Sequence, residues 1–252
     1  MNKKILLIGE SCKDILKKDY TGWDDQYKFV IENIKNEVPF GYARFNDGEM
    51  MGIARAGSIV ARGDQYVTED LQIALHEALT YKQDYYYVGI PCPICFPQFN
   101  RLANNLVGDY EFKNSAVALT NRNWAKFISE LPDAIEGKEV RFISGDDQDL
   151  TFLKENLKFN IINHTKLASK NSWASINELE GYIDNIKDGE VVFISLGPSA
   201  RILVRKWFEI TPKATFIDIG SILDPFTRDV WHNCHKGWEN GFNITRRCNS
   251  CN

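Results

Sequence analysis

Asp47 and Glu49 stand one glycine apart in the segment Tyr42-Ala43-Arg44-Phe45-Asn46-Asp47-Gly48-Glu49-Met50. Two carboxylates at that spacing can turn toward a hard cation and offer it oxygen ligands. Mg²⁺ or Mn²⁺ suits such a pair, with substrate phosphates completing the shell. Arg44 is close enough in sequence to pair with a carboxylate or a phosphate. Gly48 permits a turn that few other residues tolerate. The same residue types are also turn chemistry, because Asn-Asp-Gly caps helix starts. The triplet alone leaves both readings open.

A second phosphate candidate lies in Val191-Val192-Phe193-Ile194-Ser195-Leu196-Gly197-Pro198-Ser199-Ala200. An apolar strand runs into a tight turn, and Pro198 suits the first position of a following helix. Backbone amides at that helix start and the Ser199 hydroxyl would form an anion seat there. A plain strand–helix connection is the alternative. Asp218, near the end of the next apolar run, could read a ribose or sugar hydroxyl. Two Cys-x-x-Cys pairs, Cys92/Cys95 and Cys248/Cys251, could together make one tetrahedral zinc site, with Cys234, His232 and His235 as further ligands. Buried thiols or a redox-active pair are the alternatives.

The elements that must position these residues alternate along the chain. Strands are expected at Lys4–Ile8, Gly41–Phe45, Tyr85–Ile90, Ala116–Leu119, Val140–Ile143, Phe159–Asn163, Val191–Leu196 and Thr215–Ile219. Apolar residues at helical spacing lie between them: Tyr27, Val30, Ile31 and Ile34; then Leu71, Leu75 and Leu79; then Ile176, Leu179, Tyr182, Ile183 and Ile186. Such alternation predicts a Rossmann-like α/β fold, a mostly parallel sheet with helices on both faces. Residues 1–252 read as one domain, with a weak candidate boundary in a loop at Asp133–Lys138 and an irregular tail over about 225–252. The chain has 252 residues, 44% of them apolar and 25% charged, which is enough to bury a core and too ordinary for wholesale disorder. A net charge of −4 supplies no basic face for a nucleic acid. No apolar run nears the about 20 residues needed to span a bilayer. The first apolar run is too brief for a signal peptide, so the expected site of action is the cytoplasm, close to a membrane.

Taken in order, the segments resemble the bacterial glycosyltransferases of the GT-D fold. That family was first catalogued as a domain of unknown function, and transfers sugar in protein and surface glycan assembly. Its Arg-aromatic-x-Asp-Gly-Glu mark is matched by Arg44–Glu49, and its Leu-Gly-Pro-Thr-Ala by Leu196–Ala200. Ile217-Asp218-Ile219-Gly220 matches its Ile-Asp-Ile-Gly, and Ser169-Lys170-Asn171-Ser172-Trp173 resembles its Ser-Lys-Asn-Ala-Phe. Thr120-Asn121-Arg122 is similar to its Thr-Arg segment, and Phe142-Ile143-Ser144-Gly145 to a strand that ends there in Glu-Gly. Departures are Ser144 in place of that Glu, Ser221 in place of a family His, and Leu223–Arg228 in place of an acidic-aromatic run.

The resemblance implies a metal-dependent transferase moving sugar from a nucleotide-sugar, UDP by default, to a glycan or glycoprotein acceptor. Asp47 and Glu49 would hold Mn²⁺ or Mg²⁺. Arg44, Asn46, Arg122, Lys170, Asn171, Ser172, Gly197, Pro198, Ser199 and Asp218 would hold the donor. Asp146 or Asp147 would serve as base toward an acceptor hydroxyl, although both are also turn residues. Two other classes use the same residue types. A metal-dependent phosphohydrolase or nuclease would apply the carboxylates to a phosphate ester, and a binding module would hold a nucleotide-sugar without turnover.

Overall fold

The structure, a computed structural model, describes residues 27–60, 65–93, 95–119 and 124–228. The expected strand Lys4–Ile8, Arg122, His232, Cys234, His235, Cys248 and Cys251 lie outside these.

One sheet organises the described chain. Its strands are β1 (Gly41–Arg44), β4 (Tyr86–Ile90), β5 (Lys113–Ser115), β6 (Val140–Gly145), β7 (Ile161–Leu167), β8 (Val191–Ser195) and β9 (Thr215–Asp218). They pair in the order β5-β4-β1-β9-β8-β6-β7, every neighbour parallel. Parallel sheets need both faces covered, and the central strands accordingly read as continuous apolar runs. Side chains alternate between the faces. Val192 and Ile194 point into one core, Val191 and Phe193 into the other.

The first core lies under α2 (Asp47–Ala54), α3 (Glu69–Thr80), α4 (Pro97–Val107) and α7 (Ser199–Ile210). The second lies under α1 (Lys28–Lys35), α5 (Trp124–Ile135) and α6 (Thr151–Glu155). The expected helical faces account for much of this: Tyr27, Val30, Ile31 and Ile34 seal α1 to its core, and Leu71, Leu75 and Leu79 seal α3. Gly41 lets α7 approach β1, since a Cβ there would stand 3.0 Å from the rings of both Phe208 and Tyr86. Among the described residues, no helix is long and apolar enough to cross a membrane.

Four expectations need correction. Ala116–Leu119 is a 3-10 turn following β5 rather than a strand. A short apolar run that is buried either way carries no periodicity to decide between them. The Phe159–Asn163 strand lies later, at Ile161–Leu167, where an edge position tolerates the polar Asn163, His164 and Lys166. The third helical face is two 3-10 helices, Ser172–Leu179 and Tyr182–Asn185, broken at Gly181 with φ 74°. Asp133–Lys138 bounds no lobe: α5 runs to Ile135, and β6 joins the common sheet. A short α8 spans Asp224–Thr227, where the expected tail begins, and residues 229–252 lie outside the described ones. A small antiparallel hairpin, β2 (Ile59–Val60) with β3 (Gln65–Tyr66), was not legible because each strand has only two residues.

His164 on β7 is half-buried, and its Nε2 lies 2.8 Å from the hydroxyl of the fully buried Ser144 on β6. Burial lowers its pKa to about 4, reinforced by Lys166 and Lys154 and opposed by Asp149. The folded ring is therefore neutral where an unfolded histidine begins to charge, near 6.5. Stability from this site is complete above pH 6.5 and is lost as pH falls toward 4. His164→Gln should flatten that acid limb by on the order of 1 kcal/mol, discounted for the solvent reaching the ring. Urea unfolding of both proteins at pH 4.5 and 7.5 measures the difference.

Candidate active site

All seven strands run the same way, so their carboxyl ends form one edge, and the candidate residues collect there. Connections leave β6 toward β7 but leave β8 toward β9, on the opposite side. Neighbouring strands whose connections diverge leave a crevice beyond their carboxyl ends. This one is flanked by Gly145-Asp146-Asp147 and by Leu196-Gly197. At β1 the chain departs toward β4, whereas after β9 it turns to α8, which packs on α6. The acidic turn therefore starts at a second divergence.

The backbone of the acidic turn follows from its capping residues. Asn46 is the N-cap of α2, and its side chain accepts from the Glu49 amide while the Glu49 carboxylate accepts from the Asn46 amide at 2.9 Å. This reciprocal pair is a capping box. Asp47 is exposed at the first position of α2, with no hydrogen-bond or ion-pair partner among the described residues. Negative charge there is favoured by the helix dipole, which equally favours a phosphate. Glu49 points inward and is 6% exposed.

The sequence reading missed the residue that meets Glu49, which is Arg201 of α7. Its guanidinium lies 3.2 Å from Glu49 Oε1 and 3.0 Å from Asp218 Oδ2. It also donates to the carbonyl oxygens of Arg44 and Gly197. One side chain thereby joins the ends of β1, β8 and β9. Arg44 completes the group, donating from its backbone amide to Asp218 Oδ2 at 3.2 Å, and from its side chain to the carbonyls of Asp218 at 2.9 Å and Leu119 at 2.6 Å. Gly220 closes over it: its amide donates to Asp218 Oδ1 at 3.1 Å, its φ is +51°, and a Cβ would collide with the Arg44 guanidinium. Arg44 and Asp218, read from sequence as donor contacts, are thus 4% and 0% exposed and turned toward each other. Two cations and two anions balance, as buried charge requires. The sequence offers a partial signal for Arg201 but not its partners: an arginine in the run Ala200-Arg201-Ile202-Leu203-Val204 is a candidate for burial, and a buried arginine is paired.

The other donor candidates divide by exposure. Lys170 and Asn171 are exposed beyond the end of β7, with Asn171 left-handed at φ 49°. Asn171 Oδ1 accepts from the Tyr66 amide at 2.8 Å, which ties the β2–β3 hairpin to this segment. Gln65 and Asp70 strengthen the tie through the Trp173 amide and indole, at 3.3 and 2.6 Å. Ser172 and Ser199 are buried and face each other at 2.9 Å, so neither hydroxyl is presented to solvent. Pro198 is the N-cap rather than the first residue of α7. Gly197 is the exposed part of that turn, with φ 51°.

Asp146 and Asp147 are exposed at the mouth of the β6–β8 crevice. Ser169 holds both: its Oγ is 2.5 Å from Oδ1 of each, and its amide donates to Asp146 at 3.0 Å. These bonds, the hydroxyl's first, keep the Asp146 carboxyl below the usual carboxylate range. Arg228 pairs with Asp147 and also with Asp224, the latter at 3.2 Å. Gly145 leaves room for this arrangement, because a Cβ there would stand 2.6 Å from Ser169 Oγ and displace it. Beneath, Gln148 donates to Ser195 Oγ at 2.9 Å, and Ser195 donates to the Gly220 carbonyl at 2.8 Å. The acidic mouth is thereby linked to the β9 turn.

The fit to a divalent cation rests on Asp47. Both oxygens of Glu49 are already occupied by Arg201 and the Asn46 amide, and no cluster of three or more His, Cys, Asp or Glu suited to a metal occurs among the described residues. Such a seat depends on ligand phosphate for most of its shell, as Mg²⁺ sites commonly do. Cys92 and Cys95 lie past the end of β4, and the described residues bring no second thiol pair to them.

No family model and no curated protein sequence matches the chain. Solved structures do match its fold. A domain of unknown function 1792, described as having a distinct glycosyltransferase fold, superposes with a TM-score of 0.62 at 17% identity over 88% of this chain and 93% of its own. A selenomethionine-substituted form of that domain gives 0.62 at 16% identity, over 88% and 92%. A structure described as a new glycosyltransferase of this domain type, from Streptococcus sanguinis, gives 0.60 at 15% identity, over 78% and 80%. The chain has the glycosyltransferase fold of these domain 1792 structures.

Proposed function

We propose that this protein is a glycosyltransferase that takes a nucleotide-sugar, UDP-linked by default, and transfers the sugar to a glycan or glycoprotein. The observation that carries the reading is the gathering of Asp47, Lys170-Asn171, Gly197 and Asp146-Asp147 on one edge of a sheet with this fold. Asp47 is the carboxylate available to Mn²⁺ or Mg²⁺. With a cation held there, Asp47 would place positive charge where a diphosphate leaving group develops negative charge. Glu49 holds the turn that presents Asp47, and with both oxygens already engaged it would add to holding the cation only through its remaining lone pairs. Lys170 is typed for phosphate, and Gly197 lets backbone approach it. Asp146 and Asp147 are the proton acceptors for an acceptor hydroxyl, with Ser169 and Arg228 orienting them. Arg44, Arg201 and Asp218 do not touch donor in this reading; they fix the strand ends that do.

Titration calorimetry with a panel of nucleotide-sugars, with and without Mn²⁺, tests the donor site. Wild type should bind one donor in a metal-dependent manner, and Asp47→Ala should weaken it about tenfold or more, a loss of ~1.4 kcal/mol. Binding of no nucleotide-sugar under any metal condition would sink the proposal. Turnover of simple phosphate esters would instead favour the phosphohydrolase, and donor binding without transfer to any acceptor the non-catalytic module.

Arg201→Met should cost about 3–5 kcal/mol of stability, because it leaves two buried carboxylates with one buried cation, Arg44, and takes the ionic partner from Glu49. Adding Glu49→Gln and Asp218→Asn to it should recover part of that loss. Denaturant midpoints of the three proteins decide, and a single variant as stable as wild type would refute the role given to Arg201.

A further inference from the structure

Tyr66 is 51% exposed on β3, so its ring contributes little to either core. A hairpin built of two-residue strands is marginal by itself. Yet both polar groups of the Tyr66 backbone are held by side chains. Its amide donates to Asn171 Oδ1 at 2.8 Å, and its carbonyl accepts from Gln65 Nε2 at 2.7 Å. Gln65 is buried, and its Oε1 accepts from the Trp173 amide at 3.3 Å. Asn171 keeps a left-handed backbone, φ 49°, which a residue other than glycine holds at a cost. Below, the Gly57 amide donates to the Val67 carbonyl at 2.7 Å, and the Val67 amide to the Ser58 carbonyl at 2.9 Å. The Tyr66 hydroxyl lies 3.8 Å from where a Cβ on Gly57 would stand, so the ring runs along the hairpin rather than out from it. A ring held this way offers a flat aromatic surface to solvent. Two neighbours set it beside the groups assigned to the diphosphate. Asn171 follows Lys170 directly, and β2 packs beside α2, whose first residue is Asp47.

We propose that Tyr66 is the platform on which the nucleobase of the donor stacks. The inference rests on the donor reading above, and adds to it a residue that the motif order did not single out. In a nucleoside diphosphate, a ribose separates the phosphates from the base. Every base has a π-face, and stacking on a tyrosine ring needs no hydrogen bond to the base edge. The platform therefore favours a nucleoside diphosphate over diphosphate alone, and discriminates little between pyrimidine and purine. The bonds from Asn171 and Gln65 keep the ring in place before the ligand arrives, which spares the cost of ordering it on binding.

Titration calorimetry on the whole chain with Mn²⁺ compares UDP, GDP and ADP with inorganic diphosphate, which has no base. Wild type should bind the nucleotides more tightly than diphosphate. Tyr66→Ala should weaken the tightest nucleotide about tenfold and leave diphosphate unchanged. Tyr66→Phe keeps the ring and should stay within about twofold of wild type. Circular dichroism and urea midpoints check that both variants fold. Equal loss of nucleotide and diphosphate in Tyr66→Ala would make the residue a structural support and overturn the proposal, as would nucleotide binding that the variant leaves unaltered. Wild type that binds diphosphate as tightly as any nucleotide removes the platform alone. Wild type that binds none of these ligands removes the donor reading, and the platform with it.

Discussion

Arg201 is the constraint on which the carboxyl edge depends. Three strand ends with different neighbours must keep a fixed spacing if their turns are to act on one ligand. Hydrophobic packing sets strand positions but says little about the loops beyond them. A guanidinium with several donors in a rigid plane does this well, because each bond fixes both distance and orientation. Here those donors reach Glu49, Asp218 and two backbone carbonyls. Burying so much charge yields little net stability by itself. What it supplies is uniqueness, since a small shift of any turn would leave an ion without its partner.

This arrangement separates roles that look alike in sequence. Asp47 and Glu49 are both acids in the first turn of α2, and Arg44 and Lys170 are both cations near a strand end. One member of each pair faces solvent and the other is locked inside. In the function proposed above, chemistry with a ligand falls to the exposed members. The buried members determine where those stand, so losing either kind would then silence the edge by different physical routes.

Much of the fold was legible in the sequence because its central strands are buried on both faces. Val191–Leu196 and Thr215–Ile219 have no polar alternation to confuse them, and α1 and α3 show clear helical stripes. Legibility failed where a run was short or lay at an edge. Ala116–Leu119 is apolar in either conformation, and β7 carries polar residues because, among the described residues, no strand pairs with its outer side. At the site, motif order located the turns but not the direction of each side chain. Asp218 and Arg44 were read as ligand contacts because sequence shows a residue's place on a strand, not which groups surround it. Arg201 escaped notice because its partners come from positions 44, 49, 197 and 218, a convergence that exists only in three dimensions.

That convergence has a consequence for how the chain assembles on the ribosome. β1 emerges early, yet it lies between β4 and β9, and β9 is the last strand made among those described. Gly41 pairs with Phe216, so β1 keeps one edge bare through most of synthesis. Closing so distant a contact is slow, since the loop entropy must be met before the pairing returns it. Until then Arg44 and Glu49 have neither Asp218 nor Arg201 to answer their charge. Their unmatched charges oppose premature burial of that edge, so the same ions that order the finished site keep its central seam open for the strand that completes it.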